Sequence, residues 1–312
     1  MKKLAPMIGF GGWGLGGKAP GILGYGPIDN GKAEHLVSLA IKKGITFFDT
    51  APAYGDGTSE KIIGEAANSQ RHKVFLATKV GASNFRNKQN FQLDEIKKSL
   101  EESLIRLKTE YLDLVQLHDP ESVKKIPGVL DFLLERKAKG EIKNIGVSLK
   151  NPLDFDEWAQ YSDIDFFQLN LSALDQRLLS TSVAKVAEKR GVKVIARTAL
   201  CFGFLTDMPP VREELDDSDH RRRWSDEQFN EWIVASNKVF DGVSVESKTE
   251  AAIRFCLSFP WVHVVLTGIM NERDIDSNID IETRGPLPAK DVELIINNYL
   301  SAADYIPKLN NI

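Results

Sequence analysis

Three ionisable side chains stand where short apolar runs end, and the loop between the first two supplies a phenol. Asp49 closes Ile45-Thr46-Phe47-Phe48-Asp49, Tyr54 follows in Ala51-Pro52-Ala53-Tyr54-Gly55, Lys79 closes the run from Val74, and His118 closes Leu114-Val115-Gln116-Leu117-His118. This set answers one chemical problem, how a phenol with an ordinary pKa near 10 can exchange a proton at neutral pH. A nearby ammonium stabilises the phenolate and lowers that pKa. Lys79 is suited to this, with Asp49 as the counter-ion that keeps it protonated and oriented. A neutral His118 imidazole could donate a hydrogen bond to a substrate carbonyl. Tyr54 would then act as general acid in a reduction and, as phenolate, as general base in an oxidation. Taken singly, each residue also has a plain structural use, as a surface ion pair, a packing ring or a hydrogen-bonded histidine. Lys79 leaves a second chemistry open, Schiff-base formation with a carbonyl.

Elements that place such residues at strand ends can be read from the spacing of apolar residues. Short runs rich in Val, Ile and Phe fit strands buried on both faces: Met7 to Phe10, Thr46 to Asp49, Val74 to Thr78, Leu112 to Leu117, Ile142 to Val147, Phe166 to Leu169, Lys193 to Ala196 and His263 to Thr267. Between them lie helical patterns over Ala33 to Lys43, Ser59 to Asn68, Leu93 to Leu107, Lys124 to Lys139, Leu178 to Lys189 and Lys248 to Leu257. Gly44, Gly140 and Gly191 stand at helix ends. Strand and helix alternate throughout, which predicts a closed (β/α)8 TIM barrel, an α/β fold, as a single domain over residues 1–312. A further helix is expected over Ala289 to Ala302. The stretch from Thr206 to Gly242, after the seventh strand, reads either as a lid over the barrel mouth or as a solvated surface loop.

Composition narrows the function classes. With 40 Lys and Arg against 44 Asp and Glu, the chain has no basic excess with which to neutralise a nucleic-acid backbone or hold an acidic membrane surface. The start of the chain lacks the apolar run of a signal peptide, and no stretch is long enough for a spanning helix, so a cytoplasmic protein is expected. Cys201 and Cys256 read as buried free thiols. The histidines fall in no ligand-spaced cluster, so no metal is expected.

The sequence resembles the aldo-keto reductase family over nearly its whole length. The resemblance is carried by Ile8-Gly9-Phe10-Gly11-Gly12-Trp13, by Phe48-Asp49-Thr50-Ala51-Pro52-Ala53-Tyr54-Gly55 with Gly57-Thr58-Ser59-Glu60, by Ala77-Thr78-Lys79, by Tyr111 to His118, and by Ile145-Gly146-Val147-Ser148. It implies reduction of an aldehyde or ketone by hydride transfer, with Asp49, Tyr54, Lys79 and His118 as the catalytic set. It implies NADP(H) as cofactor, with NAD(H) as the alternative, bound without a Rossmann fold. Ser148 and Gln168 would hold the nicotinamide carboxamide, while Gly12, Asp49, Arg197, Thr198, Ala199, Leu200, Gly203 and Leu205 would line the rest of that end. Gly268, Met270, Asp274 and Asn278 would lie at the adenosine end.

Four positions depart from the family pattern. Leu149 stands where Asn is common, Arg197 where an aromatic ring often stacks on the nicotinamide, Asp274 where Arg or Gln often meets the ribose 2′ position, and Met270 at a place that is often basic. A carboxylate at 274 would repel a 2′-phosphate and accept from a 2′-hydroxyl, whereas the adjacent Arg273 could turn inward. Trp13, Tyr54, Phe85 and His118 are expected to form the pocket for a small-molecule carbonyl. The Arg221 to Arg223 run, beside Asp216, Asp217 and Asp219, reads as a balanced surface patch. A different class of function, a nicotinamide-binding regulatory subunit of the potassium-channel β type, uses the same fold. Substrate and oligomeric state are not legible.

Overall fold

Eight parallel strands close on themselves in chain order: β1 (Met7–Gly11), β2 (Phe47–Asp49), β3 (Phe75–Val80), β4 (Leu114–His118), β5 (Ile145–Leu149), β6 (Phe166–Asn170), β7 (Lys193–Arg197) and β8 (Val262–Gly268). β8 pairs back onto β1, from Met7 against Val264 to Gly11 against Gly268. The computed structural model describes residues 7–17, 24–122 and 125–301. Around the barrel run α1 (Asn30–Lys42), α2 (Thr58–Ala67), α3 (Leu93–Arg106), α4 (Val129–Ala138), the single turn α5 (Phe155–Trp158) and α6 (Val183–Arg190). They are followed by α7 (Asp226–Val239), α8 (Lys248–Leu257), α9 (Glu272–Arg284) and α10 (Ala289–Ser301).

Side-chain caps set several helix starts by satisfying orphan N–H groups. Asp29 accepts from Lys32 N, Ser225 from Gln228 N and Ser247 from Glu250 N. Two helical expectations are shortened. The pattern from Lys124, itself outside the described residues, becomes helical only at Val129, because Gly128 sits at a left-handed φ of 74°. The pattern from Leu178 breaks at Thr181, whose extended backbone separates a short turn from α6. The region read as the adenosine end holds α9, begun by a reciprocal box between Asn271 and Asp274. The long stretch after β7 is built of short turns followed by α7. Ala302, the last residue of the expected C-terminal helix, lies outside the described residues.

Side chains two apart on a strand share a face, so the barrel interior is stacked in layers supplied by alternate strands. Phe47, Leu114, Phe166 and Val264, from β2, β4, β6 and β8, belong to one buried apolar cluster at the lower end. Ala77 and Ile195, from β3 and β7, join the same cluster. The corresponding positions in β1 and β5 are Gly9 and Gly146. A Cβ on Gly9 would lie 2.8–2.9 Å from Val264, Leu266 and Phe47, and one on Gly146 would lie 3.1 Å from both Leu114 and Gln116. Small residues in this layer leave room for bulky neighbours. Two residues above Phe47, Leu114 and Phe166 come Asp49, Gln116 and Gln168, all buried. The core thus turns from apolar to polar within one turn of side chains, at the C-terminal ends of the strands. Both cysteines are buried free thiols.

Overpacking explains what Gly9 protects. Gly9→Ala is expected to lower unfolding stability by about 1–3 kcal/mol in chemical denaturation, because three buried side chains must move at once. A variant as stable as the parent would show that this layer has slack.

Candidate active site

Tyr54 sits in a loop fastened to the barrel by backbone and hydroxyl contacts. Tyr54 N donates to Ala51 O, Gly57 N to Pro52 O, and Ser59 N back to Tyr54 O. Thr50 Oγ1 donates to Ser59 Oγ, which donates to Gly12 O, so the loop is clamped to the segment after β1. Gly55 has φ 66°, and a Cβ there would fall 2.3 Å from Gly16 O. Only glycine permits both that conformation and that approach. Glu60, fully buried, accepts from Thr78 Oγ1 at 2.5 Å and Arg106 Nε at 2.6 Å, which ties α2 to the strand that carries Lys79.

The four candidate residues converge. Lys79 Nζ donates to Asp49 Oδ1 at 2.5 Å, to Thr50 O at 3.0 Å and to Tyr54 Oη at 3.1 Å. The Tyr54 and His118 rings meet edge to face with centroids 6.2 Å apart. Burial works against the charge on Lys79, but the Asp49 carboxylate and Tyr54 outweigh it and raise its pKa above the ordinary value. His118 goes the other way. Burial first, then the charges of Lys79 and Arg197, lower its pKa well below the usual imidazole range, so the ring is neutral at pH 7. Its Nδ1 is buried without a hydrogen-bond partner.

Beneath this set lies a layer of amides. Asp49 Oδ2 accepts from Gln116 Nε2 at 2.9 Å and Gln168 Nε2 at 2.8 Å, and Gln168 Oε1 accepts from Ser148 Oγ at 3.3 Å. Ser148 and Gln168 are also paired in register across β5 and β6. Arg197 donates through one terminal nitrogen to Leu149 O at 2.9 Å, while its Nε is buried and unpartnered. Beyond Arg197 the backbone reaches left-handed φ at Thr198, Cys201, Phe202 and Gly203. Leu205 is buried close to this turn, with its N–H bonded to Leu200 O.

An aromatic wall borders the phenol. Phe85 lies 6.1 Å from Tyr54, 6.1 Å from His118 and 6.4 Å from Trp13, centroid to centroid. Three further rings, from places distant in sequence, complete it: Tyr25, Phe202 and His220 stand 5.2, 6.3 and 4.6 Å from Trp13. Sequence reading missed these three, and no local signal marks them. His220 Nδ1 lies 3.0 Å from Gly24 O, and burial lowers the pKa of the ring to about 4. The segment after β7 therefore packs against the residue that follows β1. Its arginine run is balanced by acids: Arg221 forks onto Asp219 at 2.7 and 3.0 Å, and Arg222 pairs with Asp217.

At the other expected end, Asp274 is occupied locally. Its Oδ2 accepts from Met270 N at 2.8 Å and Asn271 N at 3.2 Å, while its own N–H donates to Asn271 Oδ1. Asn278 is buried and donates to Thr267 Oγ1 at 2.8 Å. Arg273 is exposed. Among the described residues no group of His, Cys, Asp and Glu could hold a metal ion, and no helix is long and apolar enough to cross a membrane.

Comparison with known proteins agrees with this fold. The family model described as "Aldo/keto reductase family" matches residues 7–297. The chain is 29% identical over 310 residues to the aldo-keto reductase YhdN of Bacillus subtilis, covering 95% of this chain and 92% of that protein. It is 30% identical to L-galactose dehydrogenase of Arabidopsis thaliana, covering 82% and 79%. Among solved structures, the holo form of aldo-keto reductase AKR11C1 from Bacillus halodurans matches with a TM-score of 0.75 at 25% identity, covering 95% of each chain. With its closed eight-stranded barrel, the chain belongs to the aldo/keto reductase family of oxidoreductases, which act on small-molecule carbonyl compounds.

Proposed function

We propose that this single-domain chain reduces a small aldehyde or ketone to the alcohol, with Tyr54 as the proton donor. The observation that carries the reading is the Asp49–Lys79–Tyr54 chain, a buried ammonium 2.5 Å from a carboxylate and 3.1 Å from a phenol. Lys79 holds positive charge against the phenol oxygen, and that charge stabilises the phenolate left when the proton departs. His118, neutral because of its burial, donates a hydrogen bond to the carbonyl oxygen and sets its direction. Phe85 and Trp13 form the apolar side of the pocket. The raised pKa of Lys79 argues against a Schiff-base role, which needs an unprotonated amine.

The residues at the mouth fit a nicotinamide cofactor. Ser148 and Gln168 present a hydroxyl and an amide that suit a carboxamide, and Arg197 offers a planar cation with an unpartnered Nε. When bound, the nicotinamide supplies the hydride that the carbonyl carbon accepts. Gly12, Thr198, Ala199, Leu200, Gly203 and Leu205 line the same end, where left-handed turns bring the backbone close to the ligand. Gly268, Met270, Asp274 and Asn278 line the adenosine end. We assign NADP(H) as the preferred cofactor, because the Asp274 carboxylate is engaged with two backbone N–H groups while the exposed Arg273 beside it can pair with a 2′-phosphate.

Tyr54→Phe is expected to lower kcat by about 10²–10⁴-fold while NADPH still quenches tryptophan fluorescence with near-parental affinity. Full activity in that variant would overturn the assignment. Because His118 stays neutral down to well below pH 6.5, kcat/KM for reduction should be flat from about pH 6 to pH 7.5. A limb near pH 6.5 that vanishes in His118→Asn would contradict this. Arg273→Ala should weaken NADPH binding by about tenfold, as loss of one charge-assisted pair implies, and leave NADH binding within about twofold. Equal losses for the two cofactors would remove Arg273 from the 2′ position.

A further inference from the structure

Gln116 is fully buried, and no step above uses it. It occupies a core position two residues beyond Leu114, where a leucine or methionine would pack with no donor or acceptor to satisfy. The chain instead places an amide there and makes room for it. Gly146, in register beside it on β5, would bring a Cβ within 3.1 Å of Gln116 Cγ were it any other residue. Gln116 Nε2 donates to Asp49 Oδ2 at 2.9 Å, and its Oε1 accepts from Gln168 Nε2 at 3.2 Å. Lys79, its register partner on β3, takes the other oxygen of the same carboxylate.

The two amides on Asp49 differ in their other duties. Gln168 also faces Ser148 and, in the reading above, the nicotinamide carboxamide, so its orientation answers to the cofactor. Gln116 has its hydrogen-bond partners within the layer, Asp49 and Gln168. It is the donor to Asp49 that cofactor binding leaves alone. We propose that Gln116 is a positioning residue for proton transfer, holding the Asp49 carboxylate ionised and aimed at Lys79 so that the ammonium keeps its full charge against Tyr54. This rests on the reading of Tyr54 as proton donor. The physical link is direct. A donor to a carboxylate favours its charged form, and losing one raises its proton affinity and frees it to rotate. The ammonium is then less well matched, and the phenol beside it becomes a weaker acid.

In Gln116→Met, which keeps length and loses the donor, the alkaline rise of kcat for alcohol oxidation should move upward by about 0.5–1 pH unit. The same upward shift is expected in cofactor-free protein, in the phenolate absorbance step that Tyr54→Phe abolishes. NADPH affinity by tryptophan quenching should stay within about twofold, since Gln168 and Ser148 remain. Gln116→Asn, which keeps an amide but withdraws it by one methylene, should shift both profiles less, and it serves if the methionine variant does not fold. If both profiles keep their parental positions in whichever variant folds, whatever happens to stability or rate, Gln116 merely fills space and the proposal fails. Full activity of Tyr54→Phe would instead overturn the underlying reading, so the two failures are distinguishable.

Discussion

A fully buried ammonium is the constraint on which the rest of this barrel depends. Lys79 has no access to water, and an isolated charge in such a place costs several kcal/mol even after relaxation. Asp49, the carbonyl of Thr50 and the phenol of Tyr54 offset that cost by surrounding the nitrogen with oxygen atoms. Asp49 in turn is buried and needs donors for its second oxygen, which come from Gln116 and Gln168. One charge therefore dictates a whole polar layer across β2, β3, β4 and β6.

The architecture below and beside that layer can be understood as what permits it. Glycines in β1 and β5 let the lower side chains of Phe47 and Leu114 fill the barrel, so the polar groups are confined to its C-terminal end. The Tyr54 loop is clamped through Ser59 to the segment after β1 and through Glu60 to Thr78, next to Lys79. Phenol and ammonium are thus located by independent elements that share a rigid frame, the preorganisation that the proposed role of Tyr54 requires.

Much of the site was legible in the sequence because it is local. Asp49, Lys79 and His118 each stand at or next to the C-terminal end of a barrel strand, where inward-pointing side chains reach the mouth. Gln116 and Gln168 were equally visible as amides within apolar strands, but only Gln168 drew attention. What made Gln116 significant, its contact with Asp49 across 67 positions, has no trace in spacing. The wall of Tyr25, Phe202 and His220 was hidden for the same reason. Asp274 shows a different limit: its charge drew attention in the sequence, but its part in the capping box of α9 became visible only in the fold.

Read alone, the sequence determined the alternation of strand and helix, and it placed Asp49, Lys79 and His118 at strand ends and Tyr54 in the loop after the second strand, since these follow from short-range periodicity. It did not determine that Lys79 stands 3.1 Å from Tyr54, that two amides hold Asp49, or that the stretch after β7 leans His220 on Trp13. Those were decided by barrel closure, which fixes the register between strands far apart in the chain. Hydrogen-bond donors, acceptors and charges act over a few ångströms, so their meaning appears only once closure has chosen their neighbours.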